Sequence, residues 1–179
     1  METYDYIIVG AGSAGCPVAW VLSEDPKVKV LLLEAGPHGN RFWINTPAGM
    51  AKLYFNDKLN WNYQTEPMTM LRNRKMYWPR GKTLGGSSAI NGMIYIRGHR
   101  ADFDSWEALG NPGWGYQDVL PVFRKLEHFE RRADTYRGQG GPLRISDPVV
   151  KEQSSYDFIS AAEQLGHANL EDMNGAESD

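Results

Sequence analysis

Gly10, Gly12 and Gly15 stand in the spacing G-x-G-x-x-G, and Glu34 follows nineteen positions after the last of them. Each residue type suits a mechanical task. Gly10 permits a tight turn, Gly12 lets backbone approach a pyrophosphate, and Gly15 lets a following helix lie close to the preceding strand. The start of that helix offers free N–H groups and the positive end of its dipole to phosphates. A carboxylate at the position of Glu34 can accept hydrogen bonds from a ribose. The alternative is a glycine-rich turn that holds no ligand. The register of the glycines with their flanking elements argues against it, so the pattern points to a cofactor carrying ADP. It does not by itself separate NAD from FAD.

Those flanking elements are legible around the turn. Residues 5–9, Asp-Tyr-Ile-Ile-Val, are a nearly continuous apolar, β-branched run, which predicts a strand buried on both faces of a parallel sheet. Residues 14–22 read as a helix with Cys16 and Ala19, and Ala14 as a further candidate, facing the sheet. Pro17 falls in its first turns, where a missing N–H costs little. A second apolar run, Val28 to Leu33, predicts a strand that delivers Glu34 at its end.

A second glycine motif lies in residues 78–98, "WPRGKTLGGSSAINGMIYIRG". Gly81-Lys82-Thr83 invites a nucleoside triphosphate reading, but that loop needs a glycine where Met76 stands. What remains is a glycine pair, the capping residues Ser87 and Ser88, and a stretch of small side chains where backbone can approach a flat ligand. Its chemistry allows either a cofactor-facing loop or a structural one.

Composition narrows the partners. The chain has 179 residues, 41% hydrophobic and 23% charged, with a net charge of −3. That supports a globular core and supplies no broad positive field for nucleic acid. One cysteine, Cys16, allows no internal disulfide, and no ligand spacing typical of a metal site occurs. The apolar runs Tyr6–Val9 and Val30–Leu33 are too short to cross a bilayer, and the acidic start lacks the pattern of a secretory signal. A cytoplasmic protein in a reducing compartment is expected. Peripheral attachment to a membrane would leave no mark of this kind.

Together the motifs resemble the amino-terminal part of the glucose-methanol-choline family of flavoprotein oxidoreductases, most closely its choline-dehydrogenase-type and alcohol-dehydrogenase-type members. The resemblance rests on residues 5–15, Leu33-Glu34-Ala35-Gly36-Pro37, Trp61 in "LNWNYQTEP", residues 79–88 with Asn91, "IRGHRADFDSW" and "GWGYQDVLPVFRKLE". It implies an α/β chain containing an incomplete Rossmann-like FAD-binding domain over residues 1–110. Residues 111–179 would form a helical and strand extension leading into a truncated substrate domain. The implied cofactor is FAD. The first turn, Gly10, Gly12 and Gly15, would take its ADP part, with Ser13, Ala14, Glu34 and Ala35 at the adenosine end. Arg80, Gly86 and Ser87 belong to the segment along the pyrophosphate and flavin, with Thr83, Gly85, Asn91, Gly92, Met93 and Ile94 toward the flavin. Some members tether the flavin through a histidine where this chain has Ile90, so binding without a covalent link is expected.

The resemblance implies oxidation of a small-molecule alcohol to an aldehyde, with hydride passing to flavin N5. The same scaffold also resembles a fatty acid photodecarboxylase and hydroxynitrile lyases, and a cofactor-binding piece without catalysis is a third reading. A base near neutral pH calls for histidine. His38 reads as a loop residue, His128 as part of an amphipathic helix, and His167 as lying past a helix stop; surface or packing roles suit all three. His99, between Gly98 and Arg100, adjoins the flavin-segment motif, but flanking arginines disfavour its protonated form. The family's catalytic pair, a histidine with a second histidine or asparagine, lies near the end of a much longer chain. No catalytic residue is therefore expected here, and the remaining polypeptide or a complementing chain is expected to supply it.

The rest reads as structure. Residues 118–130 place Val119, Val122, Phe123 and Leu126 on one helical stripe. Residues 140–146 read as a turn into a short strand. Residues 154–165 read as a helix with Phe158, Ala162 and Leu165 inward, stopped at Gly166.

Overall fold

The computed structural model describes residues 2–39 and 41–176. It divides into two compact units, one up to Ile94 and one from Tyr95 onward.

The first unit begins with strand β1 (Tyr6–Val9), helix α1 (Gly15–Leu22) and strand β2 (Val30–Leu33). The strands pair in parallel, with Tyr6 opposite Val30 and Val9 opposite Leu33. A parallel pair needs a crossover, and α1 supplies it, packing on both strands. Cys16 and Ala19 are half-buried as expected, whereas Ala14 is exposed at the helix start. The expectation of a strand buried on both faces fails. Ile7 is 61% and Val9 84% exposed, because among the described residues the sheet has only these two strands. Asp5 is not in β1; its carboxylate accepts the N–H of Lys29 at 2.8 Å and steadies the approach to β2.

A short helix α2 (Met50–Leu53) brings Leu53 against Leu59 and Ile90, with Ile44 alongside, in a small apolar core. Strands β3 (Tyr63–Gln64) and β4 (Tyr77–Trp78) form an antiparallel hairpin. Asn60, 2% exposed, anchors its base. Its amide donates to the Tyr54 carbonyl at 2.6 Å and the Tyr77 hydroxyl at 2.9 Å, and its oxygen accepts the N–H groups of Asn62 and Arg80 at 3.1 and 2.8 Å. Two donors and two acceptor positions are all used.

In the second unit, helix α3 (Arg100–Ala108) packs on helix α4 (Tyr116–Leu126). Phe103, Tyr116 and Leu120 form the centre, flanked by Val119, Phe123 and Tyr136. The amphipathic helix thus ends at Leu126, four residues earlier than its periodicity suggests, and Val122 points outward at 63% exposure. The reason is Glu127, fully buried between the guanidinium groups of Arg97 and Arg137 at 3.0 and 3.1 Å. It starts strand β5 (Glu127–Phe129), which pairs in parallel with strand β6 (Leu143–Ile145). His128 is therefore on a strand and not on a helix, and its Nδ1 accepts the N–H of Gly140. Helix α5 (Gln153–Gln164) stops at Gly166, whose φ is +88°. Phe158 and Leu165 are 76% and 80% exposed, contrary to the inward expectation, and only Ala162 is half-buried. Helical periodicity finds an apolar face without specifying what covers it.

Candidate dinucleotide-binding site

The glycine turn after β1 is held by its own backbone. Gly10 has φ +97° and donates to the Leu33 carbonyl at 2.8 Å. A Cβ on Gly15 would lie 1.9 Å from the Gly10 carbonyl oxygen. The fold therefore demands glycine at both positions. Gly12 differs: a Cβ there would meet only the Gly86 Cα, at 3.8 Å, an ordinary contact. Nothing in the chain requires Gly12 to lack a side chain, and what its bareness keeps open is the cleft it lines.

The second glycine segment closes onto the first. Gly85 donates its N–H to the Ala11 carbonyl at 2.8 Å. Gly86, at φ +57°, passes so close that a Cβ would come within 2.7 Å of the Gly12 Cα. Gly81 lies against Gly86 in turn, and its N–H donates to the Ser87 hydroxyl at 3.1 Å. Thr83 is fully buried and spends its hydroxyl on the Pro37 carbonyl at 2.7 Å. This bond ties the segment to the turn following β2.

Between them lies a cleft of about 770 Å³. Gly10, Gly12, Ser13, Ala14 and Gly15 line it from the first turn, Glu34 and Ala35 from the end of β2, and Arg80, Gly86 and Ser87 from the second segment. Thr83, Gly85, Asn91, Gly92, Met93 and Ile94 do not line it. Met93 adopts φ +60°, its N–H donating to the Asn91 side chain at 2.9 Å, and Met93 and Ile94 are 61% and 85% exposed. Ile90 lies in the apolar core with Leu53.

Glu34 is engaged before any ligand arrives. Oε2 accepts the Ala11 N–H and Oε1 the Gly36 N–H, each at 2.9 Å. Each oxygen keeps a further acceptor position. No side chain caps the first turn of α1; Cys16 and Val18 donate to the carbonyls of Gly12 and Ala14 at 3.1 and 3.3 Å and Pro17 has no N–H, so of the first four helical residues only Gly15 offers its N–H to a ligand or water. The Gly15 N–H at the helix start, the Glu34 carboxylate and a bare Gly12 fit a dinucleotide with its pyrophosphate at the helix start.

Sequence reasoning left Tyr63 and Gly81 out of the site and gave Trp61 no role in it; all three line the cleft. Trp61 and Tyr63 are stacked, with centroids 5.8 Å apart, and the Lys82 ammonium lies 4.5 Å from the Trp61 ring centre. The aromatic pair at i and i+2 in "NWNY" was the available signal. His99 caps α3: its Nδ1 accepts the Ala101 N–H at 3.1 Å while Asp102 accepts its own N–H at 2.9 Å.

The family described as GMC oxidoreductase matches residues 4–179. Choline dehydrogenase, mitochondrial, from Mus musculus is 45% identical over 97% of this chain and 30% of its own length. Alcohol dehydrogenase [acceptor] from Pseudomonas putida is 48% identical over 97% of this chain and 32% of its own length. Among solved structures, pyridoxine 4-oxidase from Mesorbium loti superposes with a TM-score of 0.89 at 39% identity, over 96% of this chain and 34% of that one. The chain spans about a third of the length of the curated relatives it matches. With two glycine segments locked backbone to backbone and a match over nearly all its residues, the chain belongs to the GMC oxidoreductases.

Proposed function

We propose that this chain holds FAD in the cleft between the two glycine segments, as part of an oxidoreductase acting on CH–OH groups. The observation that carries the reading is Gly12, a glycine that the fold does not need and the cleft does. When bound, FAD would supply a hydride acceptor for the carbinol carbon of an alcohol. The chain's own residues bind and orient. The uncapped start of α1 and the Gly12 backbone would meet the pyrophosphate. Glu34 would accept from the adenosine ribose through the acceptor positions its backbone bonds leave over, with Ser13, Ala14 and Ala35 beside it. Arg80, Gly86 and Ser87 would line the opposite side. Thr83 and Gly85 would act through the backbone, fixing the segment that leads to Asn91, Gly92, Met93 and Ile94 on the flavin side. Ile90, an apolar core residue, offers no nucleophile, so the flavin would be held without a covalent bond.

The substrate class follows from names of relatives: choline dehydrogenase, alcohol dehydrogenase and pyridoxine oxidase each point to an alcohol. His99 is committed to capping α3, so the base that takes the hydroxyl proton would come from polypeptide beyond this chain. The full-length protein should be yellow, and an alcohol added without oxygen should bleach it. A yellow protein unbleached by short, long-chain and amino alcohols would overturn the alcohol reading and leave FAD binding standing.

A further inference from the structure

The segment assigned to the flavin side makes a turn that its residue types do not favour. Met93 has φ +60°, in the left-handed region where the Cβ of an ordinary residue crowds the following carbonyl. Among the described residues three other non-glycine positions share that conformation: Asn62, Arg72 and Asn73. Two of these are asparagine, a type whose short polar side chain eases the turn by bonding nearby backbone. Methionine has no such group. The bond comes from two residues back, where Asn91 Oδ1 accepts the Met93 N–H at 2.9 Å.

The approach to this turn is set by packing. Ile90, 3% exposed, lies with Leu53 and Leu59, and its N–H donates to the Ser87 carbonyl at 3.2 Å. Gly92 lies against α2, where a Cβ would come within 3.2 Å of the Met50 sulfur. The core therefore decides where the chain enters at Ile90. The direction in which it leaves depends on Met93 keeping a disfavoured φ. Without the Asn91 bond that residue would relax toward negative φ, and the backbone of Met93 and Ile94 would take another path. Strain of this kind persists only where the surroundings hold it, and it gathers at functional sites.

We infer that Asn91 is a positioning residue for the flavin: its amide oxygen holds Met93 left-handed and so fixes the backbone that Met93 and Ile94 bring to the cofactor. This role rests on the reading that the chain holds FAD, and it gives Asn91 a task other than direct contact. A glycine in place of Met93 would permit the turn without a tether and would permit many other conformations as well. Methionine tied to Asn91 selects one.

The test is a double-mutant cycle in the full-length protein, read by FAD titration of the apoprotein and by the visible circular dichroism of the bound flavin. Asn91→Ala should lower FAD affinity about tenfold, the scale of one lost hydrogen bond, and change the flavin bands. Made in a Met93→Gly background, the same change should cost less than about twofold, because glycine enters the left-handed region unaided. Met93→Val keeps Asn91 but puts a β-branched side chain where it is least tolerated, and should reproduce the dichroism of Asn91→Ala. An Asn91→Ala loss of equal size in both backgrounds overturns the inference and means that the Asn91 amide meets the cofactor itself. Affinity and dichroism unchanged in Asn91→Ala overturn it too. If Asn91→Ala fails to fold, Met93→Val decides, and a wild-type affinity and flavin spectrum in that variant overturn the inference. Wild-type protein that takes up no FAD overturns the FAD reading and this role with it, whereas variants that bind FAD as wild type does overturn the role alone.

Discussion

Glu34 Oε2 accepts the backbone N–H of Ala11 at 2.9 Å, joining the end of β2 to the glycine turn across 23 residues of sequence. The carboxylate is therefore part of the turn's scaffold, and its second oxygen holds Gly36. A ligand ribose would complete the coordination of a group already aimed and partly desolvated, which lowers the ordering cost of binding.

Replacing Glu34 should damage both tasks. Glu34→Gln turns one acceptor into a donor facing a backbone N–H, at a cost of about 1–3 kcal/mol. FAD affinity should fall about 10- to 100-fold, measured by flavin fluorescence on titration of the apoprotein. Unchanged affinity and melting would show that neither bond matters.

The glycines of the first turn should separate into two behaviours. Gly15→Ala puts a Cβ where the Gly10 carbonyl oxygen is, 1.9 Å away, and should destabilise the fold by several kcal/mol. Gly12→Ala meets only an ordinary contact at 3.8 Å. It should leave chemical denaturation within about 0.5 kcal/mol of wild type while lowering FAD affinity at least tenfold. A Gly12→Ala protein that binds FAD normally would remove the main support for the cleft assignment.

These positions also show what a sequence can disclose. Gly10 and Gly15 were legible because local geometry dictates their types, as was the helix stop at Gly166; Glu34 was legible only from its spacing to the glycines, since the bond that holds it reaches 23 residues back. Burial was not. Val9, Phe158 and Leu165 are apolar residues in regular elements, yet what lies over them is not decided by their own segment, and all three are exposed here. The end of α4 at Leu126 depends on Arg97 and Arg137, thirty and ten positions from Glu127. Asn60 in "LNWN" looks like a turn residue and is a buried, fully satisfied amide.

Asn60→Ala should cost about 2–4 kcal/mol, since it strands the Arg80 and Asn62 N–H groups, while the Tyr54 carbonyl keeps the Tyr77 hydroxyl as a donor. Because Arg80 and Trp61 flank the cleft, FAD affinity should fall with it. Denaturation by urea measures the first effect and flavin titration the second. Loss of less than about 0.5 kcal/mol would mean that water replaces the amide without penalty.

Arg131 and Asp147 offer a pH test. The hydrogen bond from Arg131 holds the Asp147 carboxyl below its ordinary value of 3.8. A lowered folded-state value stabilises above the unfolded value, and the contribution is lost as pH falls through the lowered one. Both side chains are more than a third exposed, so the pair is worth less than about 1 kcal/mol. Asp147→Asn should show that small loss at pH 7, shrinking in salt and absent in strong acid. An equal deficit at both pH values would make the effect non-ionic.

Glu127 poses the opposite case. It is fully buried, and its Oε1 faces Arg97 at 3.0 Å, Arg137 at 3.1 Å and the Gly138 N–H at 2.6 Å. Arg137 is further held by Asp172 at 2.9 Å and stacks over Phe129, 3.8 Å from its ring centre. Bringing such charges out of water is costly, so the net worth of the intact cluster is modest, but removing its central carboxylate leaves two buried cations facing each other. Glu127→Gln keeps an acceptor for Gly138 and should still cost about 3–5 kcal/mol. Arg137 keeps Asp172, so adding Arg97→Met to Glu127→Gln removes the cation left without a carboxylate, and the double variant should be more stable than the two losses summed, by about 1 kcal/mol or more. Strict additivity in that cycle would mean that Glu127 shapes β5 through its backbone and its bond to Gly138, with the Arg97 guanidinium incidental.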